Sequence, residues 1–170
     1  HGRIYRVAWD QARKVAPINL TGATTAKLVE TLRNDNQLWR LHAQRLLVEK
    51  GGTEAVPALL RLAQERSVDP VGLNVGAQHA LWTLSGLGVG ETANVRRSAN
   101  TSLRHRSAAV RRAGLGVLPR DAAGAKSLLD ARLLEDPDAQ VRLAAFLAVA
   151  DMPEQDALGA RKLEETLLSF

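Results

Sequence analysis

Two histidines, a run of arginines, two tryptophans and one glycine-rich stretch are the residues whose types and spacing admit chemistry. His42 and His79 each stand immediately before a small residue, Ala43 or Ala80, inside segments that read as copies of one helix. Side by side they would form half of a metal or anion site. Two imidazoles leave a zinc shell incomplete, and no neighbouring motif supplies a third ligand at customary spacing. Both therefore read as residues at the edge of a helix interface, bonded to loop carbonyls. Between Glu91 and Asp121 no carboxylate interrupts Arg96, Arg97, Arg104, Arg106, Arg111, Arg112 and Arg120. Such a run would attract an anionic partner, a nucleic-acid backbone among them. Arg96-Arg97 and Arg111-Arg112 are adjacent pairs, however, and helix neighbours point about 100° apart. Each pair divides its charge between faces, so the run reads as solvated helix exteriors and nucleic acid is not the expected partner. The first six of these arginines, with His42 and His79, are the candidate interaction surface.

Trp39 and Trp82 could stack on a base or a ring ligand. Each lies at helical spacing with core leucines and reads as packing instead. Gly86-Leu-Gly-Val-Gly90 follows a helix and lacks the Lys-Ser/Thr ending of a phosphate loop, so it reads as a helix stop. No serine sits in a nucleophile-elbow context, and there is no Glu-x-x-His pair and no isolated carboxylate dyad. With zero Cys there is no disulfide framework, thiolate metal site or cysteine nucleophile. The expectation is a chain without catalytic, cofactor-binding or metal-binding residues, which is not itself an enzyme.

The elements that would position these residues repeat. In Gln37 to Gly51, Trp39, Ala43, Leu46, Leu47 and Lys50 fall along one side of a 3.6-residue helix. Gly51 and Gly52 are the expected left-handed stop. Val110-Arg111 and Val141-Arg142 match Trp39-Arg40, while Gly114 and Ala145 match Ala43. A fourth copy aligns through Ala80 and Leu84 but has Ala77 where the others have Arg. Setting Ala43, Ala80, Gly114 and Ala145 in line gives steps of 37, 34 and 31 residues. That period marks stacked helical hairpins, each unable to bury its apolar face alone. The small residue lets backbones approach where helices cross. The arginine at the start of the other three copies would bond to the preceding turn or to an acidic neighbour such as Asp35, Asp136 or Asp138.

Taken in order, residues 1 to 23 form an extended segment and linker, with any strand confined to residues 3 to 8. The spacing then predicts helices over 24–33, 37–50, a third carrying Val56 to Ala63 and capped by Thr53, 75–87, 91–103, 109–118, 123–135, 140–152 and 157–168. Few aromatic residues among many Leu and Ala favour helix packing over a sheet core. No apolar run approaches the roughly 18 residues needed to cross a bilayer. Charge is uneven: residues 1 to 120 carry 18 Lys/Arg against 8 Asp/Glu, and 121 to 170 carry 5 against 10.

Asp138-Ala-Gln-Val-Arg142 resembles a HEAT-type repeat, whose second helices often open on an acidic turn followed by Val-Arg. The resemblance covers residues 24 to 170. It implies an all-α, α-α superhelix: a HEAT-like solenoid of about four hairpins plus a final helix, preceded by the short extended segment. Three motifs resemble something narrower: His1-Gly-Arg-Ile-Tyr-Arg-Val7, Trp39-Arg-Leu-His-Ala-Gln-Arg-Leu-Leu47 and His79-Ala-Leu-Trp-Thr-Leu-Ser-Gly-Leu-Gly88. They are similar to the region after the β-propeller in exported bacterial sorbosone/glucose dehydrogenase-like proteins, membrane-bound and cytochrome c-linked. That resemblance implies a non-catalytic scaffold or protein-interaction domain, cut from a larger periplasmic or extracellular oxidoreductase-like protein. Sugar oxidation, quinone and haem would belong to other parts of such a protein. Its partners would be neighbouring domains of the same polypeptide or another protein. The alternative is a nucleic-acid-binding HEAT-like domain using the basic 96–120 segment.

Overall fold

The computed structural model describes residues 17–50 and 52–153, together with Tyr5, Val7, Trp9, Asp10, Gln11 and Glu165. Among the described residues eight α-helices are delimited, in order: α1 Thr25–Thr31, α2 Gln37–Lys50, α3 Val56–Ala63, α4 Val75–Gly86, α5 Ala93–Ser102, α6 Ala108–Val117, α7 Ala122–Asp130 and α8 Ala139–Ala150. Two single 3-10 turns, Thr53–Ala55 and Leu133–Glu135, lead into α3 and follow α7. No strand occurs among the described residues, and Tyr5 and Val7 are exposed in irregular backbone. The remainder of the expected strand and the expected helix 157–168 lie outside the described residues, Glu165 excepted.

Local chemistry sets the helix starts. Thr24, Asn74, Asp121 and Asp138 present side-chain oxygens to orphan first-turn N–H groups of α1, α4, α7 and α8. Pro57 sits in the first turn of α3, where its missing N–H has no helical partner to lose. The stops are less uniform. Gly88, at φ +71, takes the left-handed position after α4 that the glycine run predicts. Gly52 does not: at φ −81 and ψ 135 it is extended, and it opens the next turn. Gly51 lies outside the described residues.

The helices form two layers of stacked hairpins. Each odd helix pairs with the even helix after it in the first three hairpins, and the 3-10 turn 133–135 connects α7 to α8. Odd helices touch in succession along one layer, and even helices along the other. One buried cluster, including Leu28, Leu32, Leu59, Leu81 and Leu84, fills the first half. A second, including Leu103, Leu115, Leu128, Leu133 and Leu134, fills the other half. Helix α6 belongs to both, sending Val110 and Ala113 to the first and Leu115 to the second. Burying one such leucine fully contributes roughly 1.5–3 kcal/mol.

Two expectations change. Helix α7 was expected to run to Glu135, but it ends at Asp130 and Arg132 turns left-handed at φ 55. That turn sends Leu133 and Leu134, at 2% and 1% exposure, into the core beside α8. In the second hairpin the register moves by one residue. Counted from its cap Asn74, α4 places Leu81, not Ala80, level with Ala43, Gly114 and Ala145. Gln78, not Ala77, then stands where the other copies carry arginine. Both Ala80 and Leu81 are fully buried, because α4 touches α2, α3, α5 and α6.

Candidate interaction surface

The repeat arginines are spent on the fold. Arg40 Nη1 donates to the carbonyls of Asn34 (2.6 Å) and Asp35 (2.8 Å). Arg111 Nη1 donates to those of His105 (2.8 Å) and Arg106 (3.1 Å), and Arg142 Nη1 to those of Asp136 (2.8 Å) and Pro137 (3.3 Å). Each guanidinium thus clamps the turn five and six residues before it. Arg111 also reaches forward one hairpin. Its Nε and Nη2 each donate at 2.7 Å to the buried Asp136 carboxylate. Arg40 has no such partner, because Gly72 occupies the equivalent place before the next cap. Its Nε is buried without a hydrogen bond.

The rest of the basic segment divides in two. Arg96 bridges Glu91 at 2.9 Å and Asp121 at 2.5 Å, and it holds the Asp121 carboxyl below its usual range. Arg104 donates to the Asp130 carbonyl at 2.6 Å. Arg120 donates to the Leu115 and Leu118 carbonyls, with Asp151 at 3.9 Å. Arg97, Arg106 and Arg112 are exposed, and no hydrogen bond or ion pair of their side chains occurs among the described residues. Four arginines of the segment therefore work inside the stack and three face solvent.

The two expected histidines separate. His42 is exposed, edge-on to Trp39 with ring centroids 6.3 Å apart. His79 is buried, and its Nδ1 lies 2.7 Å from Gln44 Oε1, so the proton sits on Nδ1. Its partner is a side chain and not the loop carbonyl expected. Burial pushes its pKa down to about 4, and the Arg40 charge adds to the shift. No group of three or more His, Cys, Asp or Glu able to hold a metal occurs among the described residues.

A third histidine escaped the sequence reading. His105 is buried; its Nδ1 accepts from the Ser107 N–H at 2.9 Å and its Nε2 donates to the Glu65 carbonyl at 2.9 Å. An accepting Nδ1 requires the neutral ring. Burial lowers its pKa against the opposing Glu65 bond, and the charges of Arg66 and Arg111 lower it further. The signal was positional: His105 stands two residues before a helix cap, as Asn34 and Asp136 do.

Apolar side chains are exposed at both ends of the even-helix layer, among charged and polar ones. Leu38 and Leu41 on α2 are 62% and 48% exposed, and Leu143 and Leu147 on α8 are 52% and 58% exposed. Between α4, α6 and α8 runs a groove of about 280 Å³, walled by Trp82, Gly116, Ala144 and Leu147, with Arg112 and Arg120 among its lining. No Asp or Glu lines it. A second hollow of about 460 Å³ lies between residues 18–23 and α2, beside Trp39, His42 and Arg45. No described helix is long and apolar enough to cross a membrane. No family model, no curated protein and no solved structure matches the chain.

Proposed function

We propose that this chain is a non-catalytic, HEAT-like scaffold that holds another polypeptide, or a neighbouring domain of its own, against the outer face of its even helices. The observation that carries the reading is the set of leucines exposed at both ends of that layer, on α2 and on α8. A chain that stacks Leu28, Leu59, Leu81 and Leu128 at zero exposure has the means to hide apolar side chains. Leaving four leucines about half exposed or more on one layer, at 48% to 62%, suits a surface that meets a partner. The resemblance of the three motifs to exported dehydrogenase-like proteins supports a neighbouring domain of such a protein, or another protein, as that partner. Superhelical curvature of the stack would shape the face into a concave cradle.

The nucleic-acid alternative loses support from the same geometry. A phosphate track needs several free cations in a row. Here Arg96, Arg104, Arg111 and Arg120 are bonded within the chain.

The test is photo-cross-linking in the native host from benzoylphenylalanine placed singly at Leu41, Leu147 and, as controls, Glu30 and Lys126 on the odd layer. Leu41 and Leu147 should both capture one defined polypeptide, or one flanking domain, and the controls should not. Equal capture from all four positions, or none from the two leucines, would rule the reading out.

A further inference from the structure

We propose that the groove between α4, α6 and α8 binds an acidic segment of a partner protein, seating a bulky apolar side chain against Trp82 and a carboxylate against Arg112. The proposal rests on the even-helix layer being an interaction surface, and it names what that surface takes.

Shape is the first support. Gly116 is exposed, yet a Cβ there would stand 2.2 Å from Trp82 Cη2. Only glycine lets the indole lie against the bare backbone of α6, so the groove wall is built by a close approach. Size is the second. At about 280 Å³ the groove falls just below the roughly 300–1,000 Å³ of small-molecule sites, which suits one or two side chains of a peptide.

Charge is the third and decides the class of partner. Arg112 is exposed with no partner among the described residues, and no carboxylate lines the groove to neutralise it. Arg120 is held by the Leu115 and Leu118 carbonyls with Asp151 at 3.9 Å, so it stands ordered beside the groove with its charge partly paired, and among the described residues of the lining Arg112 is the free cation. A guanidinium matches a carboxylate with a pair of parallel N–H donors, and such charge-assisted bonds are about twice as strong as neutral ones. Trp and Arg beside each other on an otherwise small-residue floor, Ala109, Ala144 and Ala148, are the residue types that dominate protein interfaces. One free cation, Arg112, beside an apolar trough fits an acidic and apolar peptide better than a duplex, whose phosphates need a row of them.

The experiment selects a short random-peptide phage library on the whole 170-residue chain. Selected peptides are then titrated by fluorescence anisotropy, with the indole N–H resonance of Trp82 followed by NMR. The peptides should carry Asp or Glu within one helical turn of a Trp, Phe or Leu, and the Trp82 resonance should shift on binding. Affinity should fall about tenfold or more with Arg112→Glu and with Leu147→Lys. Both positions are exposed, so melting should match the parent. Leu41→Lys and Arg97→Glu, outside the groove, should bind as the parent does. Peptides without acidic residues, binding indifferent to Arg112→Glu, or failure to select any peptide would overturn the proposal. Peptides that respond to Leu41→Lys instead would remove the groove and leave the interaction surface standing. Absence of cross-links from both Leu41 and Leu147 would remove the surface itself.

Discussion

Asn34, His105 and Asp136 each accept the backbone N–H two residues ahead, at 2.9 Å in all three. A carboxamide oxygen, an imidazole nitrogen and a carboxylate thus do one job at one place in three hairpins. Matching residue types along the sequence hides this equivalence, because the shared property is an acceptor at a fixed distance before a cap. The arginine clamp was half legible: the sequence offered the preceding turn or an acidic neighbour, and Arg111 uses both. Buried neutral histidines have a consequence in acid. In the unfolded chain His79 titrates near 6.5, whereas in the fold burial holds its pKa at about 4. The unfolded state therefore binds the proton first, so the stability tied to His79 is whole above about pH 6.5 and declines as pH falls towards 4. His105 acts in the same direction. Glu65 and Asp121, held low by Arg33 and Arg96, keep their contribution until pH drops below about 4.5. Between pH 6.5 and 5 the loss thus belongs to the histidines. Urea unfolding of His79→Asn should lose less stability over that interval than the parent, by about 1–2 kcal/mol. An unchanged slope would show that His79 is not held neutral.

At the scale of the helix, positions were readable and their limits less so. Caps such as Thr24, Asn74 and Asp138 announce starts through residue type, and the apolar spacing marks the inner faces. The left-handed break at Arg132 left no trace, because arginine seldom takes that conformation and the flanking leucines continue a helical pattern. The slip between Ala80 and Leu81 has a different cause: a helix buried on several sides offers two candidates for one crossing position. Close approach is where substitution tells most. Gly124 lies in the first turn of α7, where alanine would ordinarily gain up to about 1 kcal/mol over glycine. A Cβ there would stand 2.0 Å from the Pro119 carbonyl oxygen, a backbone atom with little room to move. Gly124→Ala should therefore destabilise, by about 1–3 kcal/mol on overpacking. A raised melting temperature would contradict the contact. Ala43→Trp and Ala145→Trp, at positions with zero exposure, should each cost at least as much. Parent-like melting of both would mean that these residues do not lie where helices cross.

Over the whole molecule, the uneven charge seen in the sequence has an internal use. Carboxylates from the acidic end reach back to the basic middle: Asp121 to Arg96, Asp136 to Arg111, and Asp151 towards Arg120. Composition displays the imbalance but not the pairing, since partners stand 25 or more residues apart and only the stacking of hairpins joins them. Helical character and the hairpin period were plain from the sequence. The groove was not, because Trp82, Gly116 and Leu147 come from three hairpins and carry no common motif. On this account the basic middle braces the stack, and the surface left for binding is apolar, edged by few free cations. Fluorescence anisotropy with a labelled DNA duplex, titrated from low salt to about 0.15 M, where screening is short-ranged, tests that division most directly. The account predicts feeble binding at low salt that is gone by 0.15 M. Micromolar or tighter binding at that salt, falling with a log–log slope near −0.9 per phosphate and lost on changing Arg97, Arg106 and Arg112 to Ala, would contradict it.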